Sequence, residues 1–318
     1  MCCLFGLLDY EHQLTLKQRQ IILQTLSIVC EDRGTDATGI SYFTRNRLYI
    51  QKAPRAAHKM RLHISQDARY IMGHTRMTTQ GDEKKNYNNH PFSGKVGKQS
   101  FALAHNGILH NDKSLRISRH LPASRIETDS YVAVQLLEKE KNLGFKSLRH
   151  MAEALDGTFT ITVLSNQNDL YIVKGNNPMC LYQFETDGFY LYASTQEILD
   201  KAVQRLHLDN HDFRRIYVQS GEILRIAADG FVQRGQFNDS ALWPTSIYSA
   251  WGWPSGYTSQ DTEKEACEEM LHMYSQISGY DLELLEYLHS TGFSLLDIEQ
   301  MVYDPALMEE CVAEVLCE

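Results

Sequence analysis

The chain of 318 residues begins Met-Cys-Cys-Leu-Phe-Gly, and Cys2 is the residue on which chemistry can be built. A thiol titrates at about 8.5, so at neutral pH it needs a base to act as a nucleophile. If Met1 is trimmed, that base is the residue's own α-amine, which titrates at about 8 and lies close to the sulfur. One residue then supplies both nucleophile and base. Cys3 falls on the opposite face of a strand and cannot use the amine this way. The competing reading of Cys2 is a core cysteine at the start of a buried strand.

Four further stretches carry residue types that suit such a nucleophile. "RGTDATGI" (residues 33–40) is either a helix C-cap and turn, or it sets Arg33 beside the thiol to favour its thiolate. "GHTRMTTQG" (73–81) leaves a buried strand with Arg76 at its end and Thr78 and Thr79 nearby. A guanidinium there can clamp a carboxylate through two parallel hydrogen bonds, or form a surface ion pair. "AHNGILHN" (104–111) offers the Asn106 amide and the Gly107 N–H as paired donors for an oxyanion, or a tight turn. "ETDS" (127–130) opens a helix, with Thr128 or Asp129 as N-cap, or with Asp129 as partner for a substrate ammonium. Thiol, oxyanion donors, carboxylate clamp and ammonium partner together describe a pocket for L-glutamine, whose side-chain amide is the bond to be cut.

The elements that must position these groups read as an irregular mixture of strands and helices. "CCLFGLL" suits a buried strand. Ile22, Leu26, Val29 and Cys30 mark one face of an amphipathic helix that Gly34 would close. "GISYFT" and "NRLYIQKA" read as a strand pair, "YIMGHTRM" and "SFALAHNGIL" as buried strands, and "TDSYVAVQLLEKEKN" and "FKSLRHMAEAL" as helices. Strands follow in "GTFTITVLSN", "DLYIVKG", "MCLYQFE" and "GFYLYAST", then a helix in "TQEILDKAVQRL" and a hairpin turning at Asp229-Gly230. This order lacks a regular βαβ rhythm, which disfavours a doubly wound parallel sheet and predicts an α+β fold of two antiparallel sheets covered by helices.

Composition sets the outer bounds. At 43% hydrophobic and 22% charged residues, the chain suits a globular protein with room for one large domain and an appendage. No apolar run approaches the length of a membrane span, and the start lacks the pattern of a secretory signal. Seven cysteines without tight spacing argue for reduced thiols and a cytoplasmic setting, with neither a disulfide framework nor a zinc site. The net charge of −9 is unevenly spread: residues 258–318 hold 15 acidic side chains against one lysine, a balance of −14, leaving +5 on the other 257. The division predicts two modules, and the acidic total speaks against nucleic acid as a partner. We place the boundaries at 2–240 for the main domain, 241–257 for a connector holding Trp243, Trp251 and Trp253, and 258–318 for an acidic helical tail. The tail is either a solvated appendage or a segment that docks on a basic surface such as residues 51–63. His74, His90, His105 and His110 lack helical metal-ligand spacing, so no metal is assigned.

"MCCLFG", "RGTDATGI", "GHTRMTTQG", "HPF", "AHNGILHN" and "ETDS" resemble, in order and spacing, the motifs of class II glutamine amidotransferase domains, which are N-terminal-nucleophile hydrolases. Over roughly residues 2–235 the chain is most like the glutaminase half of glucosamine-6-phosphate synthase. The resemblance implies an αββα four-layer sandwich, with Cys2 as nucleophile and Arg33 supporting the site. It also implies Arg76 and Thr79 at the glutamine carboxylate, Asn106 and Gly107 as oxyanion hole, and Asp129 at the amine. It implies no cofactor. Where the synthase motif has Trp and His, this chain has Met77 and Gln80, and the remaining residues fit neither a sugar-isomerase nor a phosphoribosyltransferase domain. The expectation is therefore a glutaminase that passes ammonia to a synthase subunit on another chain. Two alternatives stay open: a catalytically idle glutamine-binding scaffold, and an amidohydrolase for another γ-glutamyl substrate.

Overall fold

Strand β1, Cys3–Asp9, is buried along its whole length, with Cys3, Phe5 and Leu7 in one apolar layer and Leu4 and Leu8 in another. A strand apolar on both faces belongs inside a layered structure, and that is where it lies. The computed structural model describes residues 2–242 and, beyond them, 271–272, 274–275, 279–291, 293, 297–298, 301–302, 308–309 and 311–313. The chain divides into two compact units, Met1–Thr245 and Ser246–Glu318.

In the first unit β1 is flanked by β4 (Tyr70–Arg76) and β10 (Phe189–Ala193), both antiparallel to it. The sheet extends through β2 (Ala37–Thr44) and β3 (Arg47–Ala53) on one side, and β9 (Cys180–Phe184) and β11 (Arg214–Arg215) on the other. A second antiparallel sheet has the order β13-β12-β8-β7-β6-β5, built from β5 (Phe92–Val96), β6 (Gln99–Leu109), β7 (Gly157–Ser165), β8 (Leu170–Lys174), β12 (Glu222–Ile226) and β13 (Val232–Gln236). Helices α1 (Leu16–Val29) and α5 (Gln196–Arg205) cover the outer face of the first sheet, where Leu23, Leu26 and Leu199 pack with Phe5 and Leu7. Helices α3 (Tyr131–Glu138) and α4 (Phe145–Ala154) cover the second, where Val132, Leu137 and Leu148 pack with Phe101 and Ile161. Leu4, Leu8, Met72 and Tyr192 meet Ala102, Ala104, Leu164 and Ile172 between the sheets. The result is the αββα sandwich.

Three elements were not anticipated from the sequence. Strand β5 buries only its terminal Phe92 and Val96, which is too weak an alternation to read, α2 (Asp112–Ser118) is barely two turns long, and β11 has only two residues. The end of α1 also differs from expectation. The helix starts with a capping box of Thr15 and Gln18 and stops at Val29, continuing as a 3-10 turn over Cys30–Asp32. Gly34 does not adopt the left-handed conformation of a C-cap. It is required because a Cβ there would lie 2.5 Å from the Arg76 carbonyl carbon.

In the second unit, α6 (Leu282–Ser290) is capped by the Asp281 side chain, which accepts from the Glu283 N–H at 3.2 Å. Leu285 and Leu288 on this helix pack with Leu271, Tyr274, Ile298 and Met301. The three tryptophans and nearly all of the connector lie outside the described residues. Among the described residues no helix is long and apolar enough to cross a membrane, and no group of three or more His, Cys, Asp or Glu is placed to hold a metal ion.

At one end of the seam between the sheets three imidazoles are buried. His74 donates from Nε2 to the His105 carbonyl at 3.0 Å, joining β4 to β6. The His90 ring lies 4.2 Å from that of His74, and neither of its nitrogens has a hydrogen-bond partner. Burial holds all three below the ordinary histidine range, His74 at about 3 and His90 well below. They are neutral at physiological pH, whereas in the unfolded chain they take up protons below about 6.5. Stability held by such groups is complete above that value and is lost as the pH falls, at about 1.4 kcal/mol per group per pH unit. Thermal unfolding followed at pH 7 and pH 5 should therefore show wild type losing about 2 kcal/mol more over that interval than His90→Leu. Parallel losses in the two proteins would contradict this account.

Candidate active site

The ends of β1, β4 and β6 place the chemically distinctive residues. Cys2 immediately precedes β1, and its Sγ donates to the Met77 carbonyl at 3.4 Å. The Arg33 Nε donates to the Cys2 carbonyl at 3.0 Å, so the turn after α1 grips the backbone of the residue that carries the thiol. Burial pushes the Cys2 thiol up; a backbone contact with Met77 and the Arg76 guanidinium oppose this, and the Asp129 carboxylate adds to it. The thiol is thus protonated at rest and sits in the field of both charged residues. Cys3, on the opposite face, is buried with its Sγ 3.1 Å from that of Cys30.

Arg76 is buried at the end of β4. Its Nη1 donates to Asn89 Oδ1 at 2.6 Å, and its Nη2 to the carbonyls of Gln80 and Gly81 at 2.6 and 3.2 Å. A guanidinium has five N–H donors, so two remain for a ligand. The segment that holds Arg76 is itself held by Lys52, whose Nζ donates to the Pro91 carbonyl at 3.1 Å and to that of Asn89. Burial, with a smaller contribution from Arg76, lowers the Lys52 ammonium to about 8. The loop after Arg76 is shaped by Asp36, which accepts the Thr78 N–H at 2.7 Å and donates its own N–H to the Arg76 carbonyl at 2.9 Å. Gln80 turns away, donating from Nε2 to the Glu127 carbonyl at 3.0 Å. The exposed Thr79 side chain forms no hydrogen bond among the described residues, so nothing in the protein itself ties it to the others, whereas the neighbouring Thr78 hydroxyl is buried and unpartnered.

Asn106 and Gly107 lie within β6 and do not form the tight turn that the dipeptide also suggests. Gly107 has φ +144°, and a Cβ there would approach the Thr158 carbonyl oxygen to 1.9 Å, so only glycine fits. The Asn106 carbonyl accepts from Asn177 Nδ2 at 2.8 Å, and its Nδ2 lies 3.4 Å from Ser194 Oγ.

Asp129 and Thr128 do not cap the following helix; α3 begins at Tyr131 after Ser130, and the Thr128 hydroxyl is unpartnered. The Asp129 carboxylate accepts the Leu109 N–H at 2.6 Å and the Ser130 N–H at 2.7 Å, one on each oxygen. The neutral His105 donates from Nε2 to the Thr158 carbonyl at 3.2 Å, which makes Nδ1 the acceptor of the Ser130 hydroxyl at 2.8 Å. The Ser130 hydroxyl also lies 3.2 Å from Asp129 Oδ1, so Oδ2, with the Leu109 N–H alone, is the oxygen that keeps a lone pair free. Asn89, Asp36, Asn177 and Ser194 were not singled out from the sequence, because their positions depend on partners far away in the chain.

Residues 1–183 match the family described as glutamine amidotransferases class-II. A glutamine–fructose-6-phosphate aminotransferase (isomerizing) from Staphylococcus aureus is 27% identical over 241 residues, covering 73% of this chain and 38% of its own. A protein of the same name from Bacillus thuringiensis is 29% identical over 169 residues, 51% of this chain and 28% of its own. The chain thus spans less than two fifths of the length of these relatives. Among solved structures, glutamine phosphoribosylpyrophosphate amidotransferase from B. subtilis aligns with a TM-score of 0.59 at 17% identity, covering 88% of this chain and 59% of that one, which shows a shared fold. With more than half its length matched, over the stretch that carries Cys2, Arg33, Arg76, Asn106, Gly107 and Asp129, the chain belongs to the class-II glutamine amidotransferases.

Proposed function

We propose that this chain hydrolyses the side-chain amide of L-glutamine and supplies the ammonia to an acceptor on another chain. The observation that carries the reading is geometric: Cys2 Sγ reaches the Met77 carbonyl beside Arg76 at the end of β4, and the Asn106 amide is tethered through Ser194 to β1, the strand that Cys2 precedes. Once Met1 is removed, the Cys2 amine takes the thiol proton and the thiolate attacks the amide carbon. The carbonyl oxygen becomes an oxyanion held by Asn106 Nδ2 and the Gly107 N–H. The C–N bond then breaks, the amine's proton goes to the departing nitrogen, and a γ-glutamyl thioester remains. Water, deprotonated by the same amine, hydrolyses the thioester to glutamate and restores the thiol.

The charge of Arg76 and a donor it has not committed suit the substrate carboxylate, and the free lone pair on Asp129 Oδ2 suits its ammonium. Thr79, at the mouth of the same loop, is the further residue we assign to the carboxylate end, and Arg33 braces Cys2 through its carbonyl. A substrate whose α-amine and α-carboxylate are both recognised is a free amino acid, which favours glutamine over γ-glutamyl peptides. The departures from the synthase motif at Met77 and Gln80 favour a second reading, a scaffold that binds glutamine without cutting it.

Ammonia release separates the two readings. Cys2→Ala should lower glutamine hydrolysis by roughly 10³-fold or more, and comparable turnover in the two proteins would refute the mechanism. Protein that retains Met1, or carries an acetyl group on Cys2, should be equally inactive; mass spectrometry of the active fraction checks this, because an intact initiator in active material is incompatible with an amine base. Asp129→Asn, which keeps an acceptor but removes the charge, should raise KM for glutamine about 10- to 100-fold with a smaller change in kcat. An unchanged KM would remove Asp129 from the ammonium site.

A further inference from the structure

Ser194 follows β10 and is completely buried. The ladder between β10 and β1 ends with Ala193 opposite Phe5. At the next position the side chain replaces the backbone: Ser194 Oγ accepts the Leu4 N–H at 2.8 Å. The same oxygen accepts from Asn106 Nδ2 at 3.4 Å. Ser194 also works to lower the Cys3 thiol against its burial. A hydroxyl has two lone pairs, and here a donor faces each. The two donors come from different sheets, Leu4 on the first, two residues after Cys2, and Asn106 on the second.

We propose that Ser194 is a positioning residue for amide hydrolysis, an inference that rests on the glutaminase reading. Oγ takes the Leu4 N–H on one lone pair and faces the Asn106 nitrogen with the other. One amide proton is then held at Oγ and the second is left for the developing oxyanion. The same oxygen sets the height of β1, and with it Cys2, against that amide. Without it, Leu4 loses its hydrogen-bond partner in a buried place, and the Asn106 amide can turn its carbonyl oxygen toward the negative charge it should stabilise. A Ser194 that only completed a ladder would matter for folding and leave the chemical step alone.

The test uses full-length protein carrying Ser194→Cys, which nearly keeps the volume but weakens the acceptor, and Ser194→Ala, each made in the wild-type and Asn106→Ala backgrounds. In wild type both substitutions should lower kcat for glutamine at least tenfold while KM stays within threefold, since the oxyanion exists only after attack. On Asn106→Ala the same substitutions should cost less than threefold, because the group they orient is gone. Equal losses in the two backgrounds, a loss confined to KM, or retention of wild-type kcat would overturn the assignment. Wild-type protein that binds glutamine and releases no ammonia would refute the glutaminase reading instead. In that case the Ser194 contact is tested separately by hydrogen exchange at the Leu4 amide, where slow exchange in wild type and fast exchange in Ser194→Ala are expected. Fast exchange already in wild type would overturn the contact.

Discussion

Strand β1 has a hydrogen-bonded neighbour on each edge and an apolar layer on each face, and this confinement is what the rest of the site depends on. Chain termini normally fray, because a terminal residue is restrained from one side only. Here the residue that matters stands one position before a strand locked on four sides. The restraint continues past the strand's end: the Arg33 guanidinium takes the Cys2 carbonyl, and Ser194 takes the Leu4 amide. A terminal amino acid is thereby given the fixity of an interior one.

Holding two sheets in register at that point brings polar groups into the core. The molecule handles them by keeping some neutral and satisfying others. Three imidazoles are stripped of water and stay uncharged, one of them serving as a cross-sheet donor. The charged groups are treated differently. Arg76 gives three donors to the protein and keeps two, while Asp129 takes two backbone amides and retains a lone pair on Oδ2. Each is rigid because it is partly used, and available because it is only partly used. The turn of Gln80 toward Glu127 shows the same economy: a side chain that differs from the synthase motif serves the loop's own structure.

Much of this was legible in the sequence, for physical reasons that can be named. Most strands of both sheets, with α1 and α5, announce themselves because alternation and helical spacing report which faces are apolar. Cys2, Arg33, Arg76, Asn106, Gly107 and Asp129 stand out because their chemistry is unusual where a core strand ends, and because together they resemble a known set of motifs. What stayed hidden depended on distant partners. Gly34 looks like a helix cap, yet its real neighbour is the backbone of Arg76. Asp129 looks like an N-cap, yet it turns back to Leu109. Ser194 gives no sign of its role in the sequence; the cap of α5 is Thr195, and Ser194 serves a strand 190 positions earlier. Asn89 is one polar residue in a polar loop until Arg76 is placed against it.

The separation of Leu4 from Ser194 has a consequence for how the protein is made. During synthesis β1 emerges well before its second neighbour, β10. β1 can pair with β4 once Tyr70–Arg76 is available, but its other edge stays open until Phe189–Ala193 follows. Closing that contact spans most of the domain and is entropically slow. The strand beside the Cys2 thiol is thus synthesised early and fixed late, so the place of the thiol is set only when the domain is essentially complete.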